Sequence, residues 1–106
     1  MSLSVYLEVN GEEVFYANIT HNLTEMAGAA GLYRCLWRPD EHYLTKAYQL
    51  IQLLTDGLVK LVADKAVYEQ YAPDNGWGTY DGLVKFCTDY LAACKEYPEA
   101  DVSVCR

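Results

Sequence analysis

Residues 3–9 alternate in polarity around Val5, Leu7 and Val9. A period of two puts alternate side chains on opposite faces and marks a half-buried strand. Asn10-Gly11 follows, and residues 14–19 return to β-branched and aromatic types. Both turn residues tolerate positive φ, so this pattern predicts a β-hairpin. The period then changes to that of a helix. Leu23, Met26, Ala27, Ala30, Tyr33 and Trp37 make one stripe. A second runs through Ala47, Leu50, Ile51, Leu54, Leu58, Leu61 and Val62, and a third through Leu83, Cys87, Tyr90, Leu91 and Cys94. Residues 101–106 revert to strand character around Val102 and Val104. The predicted order is ββαααβ. It gives an α+β fold in one domain over residues 1–106, with three helices on one face of a three-stranded antiparallel sheet made from the hairpin and the C-terminal strand. The other face, or a sheet edge, is left free for a homodimer.

Punctuation sharpens these elements. Asn22 and Glu25 have the spacing of a capping box, and Arg38-Pro39 ends the first helix. One helix of about fifteen residues, at ~1.5 Å per residue, separates its ends by about two dozen ångströms. His21 at one end and Arg38 at the other are therefore not expected to share a small-molecule site. Thr45 opens the second helix, Gly57 is a weak point within it, and residues 66–71 add a short helical turn. Residues 72–80, APDNGWGTY, form the longest loop. Asp81 is expected to cap the third helix, which stops at Tyr97-Pro98.

Composition excludes several classes. With 52% hydrophobic residues the chain can build a core without metal or disulfide staples, and no tract has the makeup of disorder. The net charge of −7, with 8 basic residues, argues against nucleic-acid binding through a basic face. The acids are scattered as a solvated surface would have them. Cys35, Cys87, Cys94 and Cys105 include no C-x-x-C pair. Cys87 and Cys94, seven apart on one helix, read as small buried hydrophobes. There is no signal-peptide pattern and no apolar run of membrane-spanning length, so the expected location is cytoplasmic, away from membranes. The N-x-T sequons at Asn18 and Asn22 are then chance matches. Ten tyrosines against two phenylalanines place many amphipathic rings at the edge of the core.

Four stretches of wording stand out: NITHNL at 18–23, LWRP at 36–39, NGWGTYDGLVKF at 75–86 and YLAACKEYPEA at 90–100. Together they resemble a family of small uncharacterised proteins from bacterial chromosomes, phages and prophages, over most of the chain. The resemblance implies a compact intracellular domain whose distinctive segments lie at residues 18–39 and around Trp77. It carries no activity, substrate or cofactor to any residue.

The chemistry-bearing residues gather in those same segments. His21, beside a helix start, is suited to act as a base or to bind an anion, but more simply serves as a local capping partner. Trp77, between Gly76 and Gly78, would either stack on a ligand or partner or fold back as a lid on the core. Arg34 and Arg38 share a helix face beside Tyr33 and Trp37; guanidinium groups suit carboxylate or phosphate, and pairing with Asp40 or Glu41 is the plainer reading. Tyr80 adds a polar group near the Trp77 loop. Only Asp40, Glu41 and His42 cluster as metal ligands, and consecutive loop residues seldom converge on one ion, so no metal or other cofactor is expected. Phosphate-loop patterns are missing. The leading expectation is a non-enzymatic protein-binding module whose contact residues come from His21, Arg34, Trp37, Arg38, Trp77 and Tyr80. A second is a small-ligand or nucleotide binder in which His21, Arg38, Trp77 and Tyr80 converge. A third, a small hydrolase or isomerase, requires His21 and Asp81 within hydrogen-bond reach, directly or through a water.

Overall fold

The alternating N-terminal segments form β1 (Ser2–Val9) and β2 (Glu12–Thr20) in the computed structural model, which describes residues 1–106. Asn10 and Gly11 join them with φ of 52° and 82°, the two left-handed residues that a tight hairpin turn requires. β3 (Asp101–Cys105) pairs antiparallel with the other side of β1, giving the order β2-β1-β3. Leu3, Val5 and Leu7 of the central strand are fully buried. Opposite them on β2 stand Ile19, Ala17 and Phe15. A bulge then intervenes: Leu7 faces Phe15, but Glu8 faces Glu13, leaving Val14 as the extra residue. Without it, parity would aim Glu13 at the core; the bulge moves it to the solvent side.

Five helices lie between the hairpin and β3: α1 (Thr24–Ala29), α2 (Tyr33–Trp37), α3 (Ile51–Ala63), α4 (Lys65–Glu69) and α5 (Tyr80–Glu96), the last of which packs against β2. The α+β class and the sheet are as expected from the sequence, with more helices than the three predicted. One of the two additional helices is α4, where a short helical turn is predicted; the other arises because the first predicted helix is two. Gly31 has φ of 77°, its N–H bonds Gly28 O at 3.1 Å, and Leu32 N–H bonds Ala27 O at 2.8 Å. This pair of bonds around a left-handed glycine is the Schellman termination of α1. The chain therefore turns a corner, and the two ends of the segment come together: His21 and Trp37 lie edge to face with centroids 6.2 Å apart. The two-dozen-ångström separation expected of a straight helix does not occur.

Several caps also differ from expectation. Thr20, not Asn22, accepts a bond from Asn22 N–H at 3.2 Å and starts a 3-10 turn at His21–Leu23; α1 itself has no side-chain cap. Thr79, not Asp81, caps α5 by accepting from Gly82 N–H at 2.9 Å. Asp81 sits in the first turn, where a carboxylate still suits the helix dipole. Gln49 Oε1 accepts from Lys46 N–H at 2.9 Å and Thr45 N–H at 2.8 Å, starting the 3-10 turn Ala47–Leu50 that feeds α3. That turn is tied to the end of the chain by Ala47 N–H to Ala100 O and Tyr48 N–H to Pro98 O, both 2.9 Å. Lys46 adds an ion pair to Asp101 at 2.6 Å.

Two fully buried side chains lock the helices together. Leu32 fills the notch left by Gly57 in α3, and a Cβ there would lie 2.3 Å from Leu32 Cδ2. Tyr90 of α5 stacks on Phe15 of β2 at 5.7 Å, linking the helix layer to the sheet. Cys35, Cys87 and Cys94 are buried free thiols, as the stripe on α5 implied for the latter two.

Candidate functional site

The Trp77 loop reaches the His21 end of the first helical segment rather than the Arg38 end. Gly78, with φ of 109°, passes so close to that segment that a Cβ would meet Thr20 Cγ2 at 2.7 Å and Leu23 Cγ at 3.0 Å. Only glycine allows both this backbone angle and this approach. Asn75 Oδ1 accepts from Trp77 N–H at 2.9 Å, an Asx turn that fixes the loop just before it docks. The indole projects outward, 70% exposed, and is not a lid on the core.

Beneath it opens a recess of about 590 Å³ lined by Met1, Ser2, Asn18, Thr20, Asn22 and Trp77. Strand pairing builds its floor, since Ser2 lies opposite Thr20 and Ser4 opposite Asn18 on the outer face of the sheet. Asn18 Nδ2 donates to Ser2 Oγ at 2.9 Å and to Ser4 Oγ at 3.0 Å. Thus the two most distinctive stretches of wording, around residues 18–23 and 75–78, face each other across one opening.

The other candidates are distributed differently. His21 turns its ring away from the recess and onto Trp37; His21 Nε2 and Trp37 Nε1 are both buried without a hydrogen-bond partner in the protein. Trp37 is only 2% exposed and stacks on Tyr33 at 5.8 Å, which removes it from the surface. Tyr80 is also in the core, where its hydroxyl donates to Leu61 O at 2.6 Å. Arg38 is held by Tyr33 Oη and by Glu41 Oε2, each at 3.2 Å; the Tyr33 hydroxyl first and Glu41 after it raise its already high pKa. Asp40 pairs with Arg106 at 2.7 Å, a bond that lowers its pKa. Arg34 is exposed, forms no ion pair, and lines a separate notch with Gly28, Gly31 and Tyr33. His21, Arg38, Trp77 and Tyr80 therefore do not converge in one cleft, and no hydrogen bond joins His21 to Asp81. Burial raises the thiols of Cys35 and Cys94 to about 12 and that of Cys87 further, so these sulfurs stay protonated and are poor nucleophiles.

A second surface escaped the sequence reading. Thr55, Leu58, Val59, Val62 and Ala63 of α3 form an apolar groove with Leu91 of α5. Val59 is 62% and Val62 65% exposed. The signal was present, because residues 55, 58, 59 and 62 have the i, i+3, i+4, i+7 spacing of one helix face. The longer core stripe overlaps it at Leu58 and Val62, and Val62 lies outside the core. Leu54 and Leu61 do belong to that core.

No helix is long and apolar enough to cross a membrane. Compared with protein-family models, with curated proteins and with solved structures, the chain matches none.

Proposed function

We propose that this chain is a non-enzymatic protein-binding module of a bacterium or phage, working in the cytoplasm, and that the α3/α5 groove is its contact surface. The observation that carries this reading is the outward pair Val59 and Val62 beside Leu58 and Leu91, an apolar strip on the outside of the helix layer. Contiguous apolar surface of this kind gains free energy when a partner covers it. The occupant that fits is an amphipathic helix of a basic protein. A groove between two helices accepts apolar side chains at helical spacing, and a net charge of −7 steers a cationic partner towards it while repelling a second copy. The bacterial or phage setting rests on the resemblance in residues 18–39 and 75–100. Four free cysteines support a reducing compartment.

A homodimer through the outer sheet face is the weaker reading, because Glu13, Glu8 and Asp101 stand in register across all three strands. Like charges opposite one another are unfavourable, and a second copy would bring more.

The test compares the tagged wild-type chain with Val59→Glu/Val62→Glu in affinity capture from host lysate, alongside sedimentation velocity of each. The expected result is a basic partner retained by the wild type and lost by the variant, with both chains monomeric and equally folded. Equal capture by the two chains contradicts the reading. A concentration-dependent wild-type dimer that the variant abolishes replaces the basic helix by a second copy.

A further inference from the structure

The recess under Trp77 shares no residue with the α3/α5 groove and has a different chemistry. Its volume of about 590 Å³ falls within the range of small-molecule sites, roughly 300–1,000 Å³. One wall is the exposed face of an indole. The side chains of Ser2, Asn18, Thr20 and Asn22 supply hydroxyls and amides, and the one charged group among the lining residues is the exposed α-ammonium of Met1. Their hydrogen-bonding capacity can be followed atom by atom. Asn18 spends its amide nitrogen on the oxygens of Ser2 and Ser4, so its Oδ1 is left as an acceptor and the Ser2 hydroxyl proton as a donor. Thr20 Oγ1 already accepts from Asn22 N–H, which leaves its own proton to give. The Asn22 side chain is exposed and can both give and receive.

We propose that this recess binds one ring of a neutral saccharide. A sugar hydroxyl donates and accepts at once, and so is matched by alternating hydroxyls and amide oxygens. Its C–H face packs on an aromatic ring, which is what the indole offers. A phosphate or carboxylate would find no cationic side chain here, only the solvent-exposed α-ammonium of Met1 on a chain of net charge −7, and a purely apolar ligand would strand the polar groups against it. The site is also built in advance. The Asx turn at Asn75 and the seating of Gly78 on Thr20 and Leu23 fix the backbone that carries the indole, which lowers the ordering cost of binding.

The experiment is a titration of ¹⁵N-labelled protein with glucose, galactose, N-acetylglucosamine, cellotriose and chitotriose, followed by proton–nitrogen correlation spectra. At least one of them is expected to move the Trp77 indole N–H and the backbone amides of residues 18–22 at millimolar concentration, while the buried Trp37 indole stays still. Trp77→Ala and Asn22→Ala should each weaken that sugar about tenfold, a change of about 1.4 kcal/mol, with the remaining spectrum unchanged. Val62→Glu should leave the affinity as it was, which separates this site from the protein-binding groove. Silence with all five sugars overturns the proposal, as does binding that survives Trp77→Ala. Equal or tighter binding of uridine, adenosine or inorganic phosphate also overturns it.

Discussion

Gly57 shows how a single absent methyl group decides the packing of three helices. The sequence presents it as a flaw in α3, because glycine lowers helix propensity. Its reason lies on another segment: Leu32 occupies the space where a Cβ would be. Gly57→Ala should therefore cost about 1–3 kcal/mol by overpacking despite the better helix former, read as a lowered urea midpoint. Leu32→Ala alone should cost about 2–5 kcal/mol, and the double variant less than the sum, since each change accommodates the other. The same limit applies at the candidate site. The sequence offers Trp37 and Tyr80 as candidate contact residues, although Trp37 also lies on the core-facing stripe of the first helix. Tyr80 instead finds Leu61 O inside the fold, and Trp37 stacks on Tyr33 and meets His21 edge to face. Residue type was legible; the partner supplied from elsewhere was not. Trp77 was legible because flanking glycines mark a loop, but which surface that loop would meet depended on Thr20 and Leu23.

At the scale of elements, periodicity identified the hairpin, the two long helices and the last strand, because each buries one face and the pattern of burial is written in the sequence. Corners and caps were less accessible. Gly28, Ala29 and Gly31 were visible as small residues, yet the break between α1 and α2 follows from Gly31 entering the left-handed region to close a Schellman motif. Gly31→Ala should lose about 1–2 kcal/mol in thermal unfolding, since an L-residue resists that conformation. Asp81 is the start that the sequence offers for α5, and the bond from Gly82 N–H puts the cap at Thr79 instead. Thr79→Ala should cost about 1 kcal/mol as a lost cap, and Asp81→Ala no more than the roughly 0.3–1 kcal/mol of a first-turn carboxylate. Denaturant titration of both variants checks the assignment; a larger loss from Asp81→Ala would contradict it.

For the molecule as a whole, one core holds the protonated thiols of Cys35, Cys87 and Cys94 together with the Tyr90 hydroxyl, all raised in pKa chiefly by burial. In the unfolded chain the thiols ionise near an ordinary value of about 8.5, so their contribution to stability is complete below that pH and is lost as pH rises towards their folded values. Thermal stability should be level from neutral pH to about 8 and then fall, by up to about 1.4 kcal/mol per pH unit for each thiol. Cys35→Ala should make that decline shallower; an unchanged slope would contradict the burial account. The arrangement of surfaces also belongs to this scale. The polar sheet face with the Trp77 recess and the apolar α3/α5 groove offer two chemistries to two kinds of ligand, and the proposed function rests on the second. Its most direct test places a photo-crosslinking amino acid at Val62 or, as a control, at Tyr6 on the outer sheet face, and illuminates the tagged chain in host lysate. The account predicts a crosslink from position 62 to a helix of a basic protein and none to that protein from position 6. Crosslinking of the same partner from position 6 alone would contradict it.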